Sequence, residues 1–423
     1  MSSERSTPDR ITLEVIGAAL LTVAEEMGAA LIRASYSTNI KERRDCSTAI
    51  FDARGQVIAQ AEHIPMHLGS LLGTVEEILR RYPIRTLAPG DMFVVNDPYA
   101  EGGTHLPDIN LVAPVFAGEE PFDFVANIAH HADRTGERIR NIWDEGLVIP
   151  PIRLVEGGVM REDVLELLLA NFAVPGERRV GELIGRFGLP TVRAACDELL
   201  DYGERKIRAA IAAVPDGTYR FIDAMDDDGV GTEPIPIVMS VTVAGDTMHL
   251  DFGGSGPESR GDLNVVRGAL LATVYYAVKA ILDPSVPANG GFYRAITVEA
   301  PAGSIVNARH PAPVGWRTQT CQRIADAVFS ALSQALPDRV PAAGNGANAA
   351  MVFSGVDPAR GGYYVYLETI GGDAGATARA DGLDGIQVHI TNTSNLPVEC
   401  LEMEYPLLVE EYALGDLQVT RTD

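Results

Sequence analysis

The residues with the clearest capacity for chemistry lie in "NDPYAEGGTHLPDINLVAPVF", positions 96 to 116, where His105 and Asp108 stand three apart behind a Gly-Gly turn. A proline-stiffened turn of this kind can aim an imidazole and a carboxylate at one centre with little loop entropy to lose. Five of the eight histidines, His63, His67, His105, His130 and His131, fall within 69 residues. Metal sites of the histidine and carboxylate type commonly combine two imidazoles with one acid, and "THLPD" followed by "IAHHAD" supplies that set. His130 and His131 close an apolar run, and strand alternation sends them to opposite faces, so only one can readily join the site. The choice is His130, which makes His105, Asp108 and His130 the candidate metal ligands. The second ring nitrogen of each imidazole should be held by an acid or a carbonyl, and Asp97 and Asp133 are candidates for that or for a fourth ligand. Spacing by itself leaves a plainer reading open, in which His105 caps a turn and the histidine pair makes ordinary loop hydrogen bonds.

"EHIPMHLGS" holds His63 and His67 four apart, but Pro65 between them argues against a helix interior and for a turn leading into the next helix. Either they are satisfied loop residues, or one or both enter a pocket as proton donors or acceptors, since an unperturbed imidazole titrates near neutral pH. They are the candidate catalytic residues. Other motifs point away from familiar chemistries. "DFGGSGPESRGDLN" is Gly-rich but lacks the order of a phosphate loop, and "DAMDDDG" lacks the order of a calcium loop, so both read as turns. "PAAGNGANAA" and "GGDAGATARADGLDG" read as flexible loops, able to fold over a ligand or simply to link surface elements. There is no GxSxG elbow.

Several elements must position these residues. Helical periodicity runs over residues 8 to 37, with Thr7 or Asp9 as cap, over "GSLLGTVEEILRRYP", and through residues 160 to 214 as "REDVLELLLANF", "RVGELIGRFG" and a long helix from near Pro190. "CSTAIFDARGQVIAQ" reads as a hairpin about the Asp52–Gly55 turn, and "DMFVVND", "INLVAPVF" and "FDFVANIAHH" read as a small sheet over residues 91 to 131. After a boundary near residue 215 the chain turns β-rich, helices return at "NVVRGALLATVYYAVKAIL" and "CQRIADAVFSALSQALP", and "YYVYLETIGG" and "IQVHITNTS" read as strands. The expected class is α+β, or mixed α/β, with an N-terminal region 1–214 carrying the candidate metal site and a C-terminal region 215–423. A net charge of −24, from 58 acidic and 34 basic residues, disfavours nucleic acid and anionic membrane surfaces as partners. The apolar runs are short for a membrane span, and the N-terminus has no apolar signal region. Four widely spaced cysteines with no CxxC pair fit a reducing cytoplasm.

These motifs together are familiar. "YSTNIKERRDCSTAIFDARGQVIAQAEHIPMHLGS", "GDMFVVNDPYAEGGTHLPDINLVAPVF", "HHAD", "DFGGSGPESRGDLN", "NGGFYRAITVEAPAGSIVNARHPAPVG" and "LEMEYPLLVEEYAL" resemble the hydantoinase B/oxoprolinase family, in order, from about residue 9 to residue 415. The resemblance implies a β-type subunit of an ATP-dependent enzyme that opens cyclic amides such as hydantoins or 5-oxoproline, with ATP bound by a hydantoinase A-type ATPase partner. Related subunits in acetone and acetophenone carboxylases imply the alternative, a ketone carboxylase subunit, and a scaffold that only completes its partner's site is a third. In the acetone carboxylase branch a divalent metal sits on His, Asp and His, and that motif falls here on His105, Asp108 and His130. Mn, Zn or Fe is the ion implied, with His63 or His67 moving protons. Family members usually continue past the "EYPL" motif with a Gly-rich segment, expected here to be separately encoded or absent, since this sequence ends at Asp423.

Overall fold

The computed structural model describes residues 9–35, 38–61, 63–100, 102–118, 120–131, 139–169, 189–359 and 363–413. Thr7, Asp133 and the helix expected at "RVGELIGRFG" lie outside the described residues. The fold is mixed α/β, as the grouping of periodicities implies.

Helix α1 (Arg10–Ala34) starts at Asp9, whose side chain accepts the Ile11 and Thr12 amides at 2.9 and 3.0 Å. After α2 (Thr38–Lys41) come the hairpin strands β1 (Cys46–Asp52) and β2 (Val57–Ala61), then α3 (Thr74–Arg81), β3 (Met92–Val95), β4 (Asp108–Ala117) and β5 (Glu120–His130). The one-turn helix α4 (Ile142–Glu145), β6 (Ile152–Glu156), β7 (Val159–Met160), α5 (Glu162–Leu169) and α6 (Leu189–Ile211) follow. The small sheet expected over residues 91 to 131 is part of a seven-stranded one, ordered β2-β1-β5-β4-β3-β6-β7 and antiparallel throughout. Both faces are covered, which is why β1 and β2 are buried along their whole length. One face sets Phe51, Phe93, Phe124 and Ile128 against Val75 and Ile78 of α3. The other sets Ile50, Ile58 and Phe122 against Ile16, Leu20 and Ala24 of α1.

Residues Ile11–Arg33 of α1 are long and apolar enough to cross a membrane by length and composition, contrary to the impression left by short apolar runs. Ile16, Leu20 and Ala24 face the sheet, while Ile11, Val15 and Leu21 of the same helix are exposed.

The second half builds β8 (Gly217–Met225), β9 (Ile235–Ala244), β10 (Thr247–Asp251), α7 (Arg267–Leu282), α8 (Gly290–Tyr293), β11 (Ile296–Glu299) and α9 (Arg317–Ser333). Its sheet runs β11-β10-β9-β8, with β10 and β11 parallel. Met239, Val241 and Leu250 pack there against Leu270 and Val274 of α7 and Ile324 and Val328 of α9. The same core takes in Ile207 and Ile211 of α6 together with Ile64, Met66, Leu106 and Ile142. The loops around the candidate site are thus packed on the second sheet's core.

Last come the hairpin β12 (Ala349–Val356) with β13 (Tyr363–Ile370), the short pair β14 (Gly372–Ala374) with β15 (Leu383–Ile386), and α10 (Val398–Glu404). Strand β12 takes up the end of a stretch read as a loop, and "IQVHITNTS" is a strand only at its first residue. Beyond Ile386 the chain turns at His389, a non-glycine residue with φ 52°, and the Ile390 carbonyl accepts the Met66 amide at 3.1 Å. Contact with the first half overrides the local β preference.

Phe124 is fully buried between β5 and α3. Phe124→Ala is expected to cost about 3–5 kcal/mol, read as a lower midpoint of denaturant unfolding with the slope unchanged.

Candidate metal centre

Strands β4 and β5 form one hairpin, and its open end holds the site. A bulge inserts Phe122 into the register, between Phe116↔Pro121 and Val115↔Asp123. Beyond it Asp108, first in β4, stands opposite His130, last in β5. Directly opposed residues share a face, so this single inserted residue puts His130 beside Asp108; without it Asp108 would oppose Ala129 and share its face with His131. His105 arrives from the preceding turn, closed by the Asp108 amide on the His105 carbonyl at 3.2 Å. The Gly-Gly pair has a steric cause. A Cβ on Gly102 would lie 2.3 Å from Val95 Cγ2, and Gly103 has φ 113°.

The three side chains converge. His105 Nε2 lies 3.2 Å from Asp108 Oδ1, and the His105 and His130 ring centroids are 4.9 Å apart. One ligand atom from each residue fits within 4.8 Å of the others. Bonds of about 2.0–2.2 Å to a common ion would hold such atoms roughly 3–4 Å apart, so small side-chain shifts would bring the three atoms to ligating separation. Neither ring nitrogen of His105 nor Asp108 Oδ1 has a hydrogen-bond partner, although all are buried; the 3.2 Å approach lacks hydrogen-bond alignment. Buried lone pairs left bare at one point are what a cation would satisfy. Asp108 is oriented from its other oxygen. Oδ2 accepts Thr104 Oγ1 at 2.9 Å and Arg317 Nη2 at 3.1 Å, and Arg317 Nε donates to Thr104 Oγ1 at 2.7 Å. Burial alone would raise the Asp108 carboxyl, but His105 and Arg317 hold it well below the ordinary range. Burial, with Arg317 adding to it, pushes His105 down to about 4. A neutral His105 beside an ionised Asp108 is the protonation state a divalent ion requires.

The trio opens on a pocket of about 140 Å³ whose walls include Asp45, His67, Glu145 and Arg317. A cavity of about 150 Å³ accommodates benzene, so the space suits a small ring.

This chain matches the family model "Hydantoinase B/oxoprolinase" over residues 9–416. It belongs to the hydantoinase B/oxoprolinase family. It is 33% identical to the caprolactamase subunit beta of Pseudomonas jessenii, covering 97% of this chain and 75% of that one. The solved ATP-dependent caprolactamase from the same organism superposes with a TM-score of 0.86 at 30% identity, over 96% of this chain and 75% of that chain. 5-Oxoprolinase 1 of Arabidopsis thaliana is 31% identical over 96% of this chain but only 35% of its own length. A nucleotide-free acetone carboxylase structure shares the fold, with a TM-score of 0.81 at 16% identity over 95% of this chain and 58% of that one.

In this hydantoinase B-type chain the two candidate proton carriers part company. His67 is buried on the pocket wall, with Nδ1 3.0 Å from Ser47 Oγ and Nε2 3.9 Å from Asp45 Oδ1. His63 is not on that wall; its ring lies against Gly28 of α1. Asp97 is also elsewhere, accepting the Tyr99 amide at 3.0 Å and closing its own turn. The expected acid or carbonyl on the second nitrogen of His105 is absent among the described residues. Here Thr104 and Arg317 orient the carboxylate, rather than an acid orienting the imidazole. Arg317, Glu145 and Asp45 escape sequence reasoning. Asp45 adjoins a recognisable strand, but Arg317 reaches Asp108 across 209 residues, and no local signal announces that.

Two outcomes follow from this geometry. Arg317→Met strands a fully buried carboxylate and should destabilise the chain by about 3–5 kcal/mol; an unfolding midpoint equal to wild type would sink the orienting role. Burial lowers His67, and lowers His131 to about 4, so both stay neutral in the folded chain while unfolded imidazoles bind protons below about pH 6.5. Their contribution is therefore present above that pH and lost on acidification. Stability should decline below about pH 6.5, the His131 share down to about pH 4, by up to about 1.4 kcal/mol per pH unit for each such histidine, in urea titrations at stepped pH.

Proposed function

We propose that this chain is the catalytic subunit of an ATP-dependent cyclic-amide hydrolase, working with a hydantoinase A-type ATPase partner. The observation that carries the reading is the convergence of His105, Asp108 and His130, with bare atoms on the buried His105 and Asp108, on a pocket sized for a small ring. Relatives named caprolactamase and 5-oxoprolinase support the reaction class, and the word "subunit" in one of those names supports a partner. A volume of about 140 Å³ suits a ring rather than a nucleotide, which favours ATP bound on the partner.

His105, Asp108 and His130 would hold the ion, and two imidazoles with one carboxylate suit zinc, manganese or iron. When bound, such an ion supplies Lewis acidity toward a carbonyl or a water. The protein's own groups do the rest. Thr104 and Arg317 fix the carboxylate, and His67 on the pocket wall would exchange protons there. His63, away from that wall, is the weaker candidate. The partner's phosphorylation of the amide oxygen would remove the resonance that makes the C–N bond hard to hydrolyse. Four free cysteines suit a reducing compartment such as the cytoplasm.

The purified chain with its partner and ATP should release phosphate in response to 5-oxoproline or another cyclic amide, and not to a ketone with bicarbonate. The opposite pattern would establish ketone carboxylation in its place. Metal analysis of the isolated chain should find about one Zn, Mn or Fe per chain, lost in His105→Ala and Asp108→Ala; a metal-free complex with full activity overturns the metal reading.

A further inference from the structure

The pocket contains a second chemically competent group, carried on a separate element from the His105, Asp108 and His130 trio. Glu145 ends α4, a turn built by a reciprocal cap: Asn141 Oδ1 accepts the Trp143 amide at 3.0 Å and the Asp144 amide at 3.3 Å, and the Asp144 side chain accepts the Asn141 amide at 3.3 Å. The turn is fastened to the loop before α9 by the Ile142 amide on the Pro311 carbonyl at 3.0 Å. From that fixed point Glu145 Oε1 accepts the amides of Val314 and of Gly315, the latter at 2.9 Å. Its other oxygen, Oε2, is buried and has no hydrogen-bond partner, and the residue is only 6% exposed while lining the pocket. A carboxyl locked through one oxygen and bare at the other costs stability unless something enters to meet it. Nor is it a spare ligand for the ion, because it stands outside the compact His105, Asp108 and His130 group.

A ring filling so small a space touches several walls at once. With its carbonyl toward the metal trio, its nitrogen is left to meet a group from another element. We propose that Glu145 is a catalytic residue: its Oε2 meets the scissile-bond nitrogen of the cyclic amide and supplies the proton that nitrogen takes up as the ring opens. The inference rests on the cyclic-amide reading above. The C–N bond breaks with its electron pair on nitrogen, and that pair takes the Glu145 proton. Water oxygen bonds to the carbonyl carbon, and the proton released by that water returns to the carboxylate, which the Val314 and Gly315 amides hold in the interval. Ring opening by that water leaves the phosphoryl group on the new carboxyl oxygen, and a second water releases it as phosphate, outside this proton exchange. Burial keeps the proton on Glu145 by pushing its carboxyl up to about 8, against the two amides and Arg317 and with a small push from Asp262. Tyr99 is the further titratable group whose ionisation couples to Glu145.

The test is Glu145→Gln in the chain complexed with its partner, which preserves the acceptor for both amides and removes the proton. Ring opening of 5-oxoproline or another accepted cyclic amide should fall about 100-fold or more in kcat, with metal content and Tm as in wild type. The wild-type rate should decline above about pH 8, and the residual rate of the variant should lack that limb. A Gln variant with unchanged kcat beside an active wild type overturns the inference alone. A wild type that opens no cyclic amide overturns the cyclic-amide reading and this inference with it. If the variant loses metal or melts early, the wild-type profile decides, and a rate that stays flat to about pH 9.5 overturns the proposal.

Discussion

The structure turns on one buried ion pair, Arg317 on Asp108. The two residues are 3% and 0% exposed, so their charges have left water and neither is tolerable without the other. Thr104 closes the arrangement by accepting from Arg317 and donating to Asp108. Because Asp108 opens β4 in the first sheet and Arg317 opens α9 against the second, the pair makes the geometry of the site depend on how the two halves pack. A pair of this kind contributes little net stability over an apolar substitute, yet it specifies one arrangement, and here that arrangement leaves Asp108 Oδ1 bare beside His105.

The sheet supplies the second constraint. A hairpin brings its two strand ends together whatever the sequence, but which residues face each other there depends on every pairing back to the turn. One inserted residue, Phe122, shifts that count by one, and its ring is anchored in the core under α1. Core packing far from the site thus selects His130 over its neighbour as the imidazole opposite Asp108. The Gly-Gly turn then lets the chain pass close enough to β3 for His105 to complete the group.

The pocket's polar groups divide by environment. His105 and His67 are driven neutral by burial, Asp108 is kept ionised by its cation, and Glu145 is kept protonated because its two amide donors do not outweigh desolvation. A neutral imidazole, an ionised carboxylate and a protonated carboxyl thus share one pocket.

Much of this was present in the linear sequence. Periodicity and turn residues marked α1, the β1–β2 hairpin, strands β3 to β5 and the long helices, because those signals are local and neighbouring packing agrees with them. "THLPD" and "AHHAD" marked the side chains that converge, since a tight turn and a strand end confine side chains within a few residues. The short pair β6 and β7, strand β12 and the irregular path after Ile386 lacked such marks, because their conformation follows from contacts made elsewhere. Sequence could name His63 and His67 but not separate them, as only the packing of α1 against the first sheet decides which imidazole reaches the pocket. Arg317 and Glu145 were invisible for the same reason. Their roles arise from hydrogen bonds spanning 209 and 170 residues, and such contacts exist only once the second core has formed against the first.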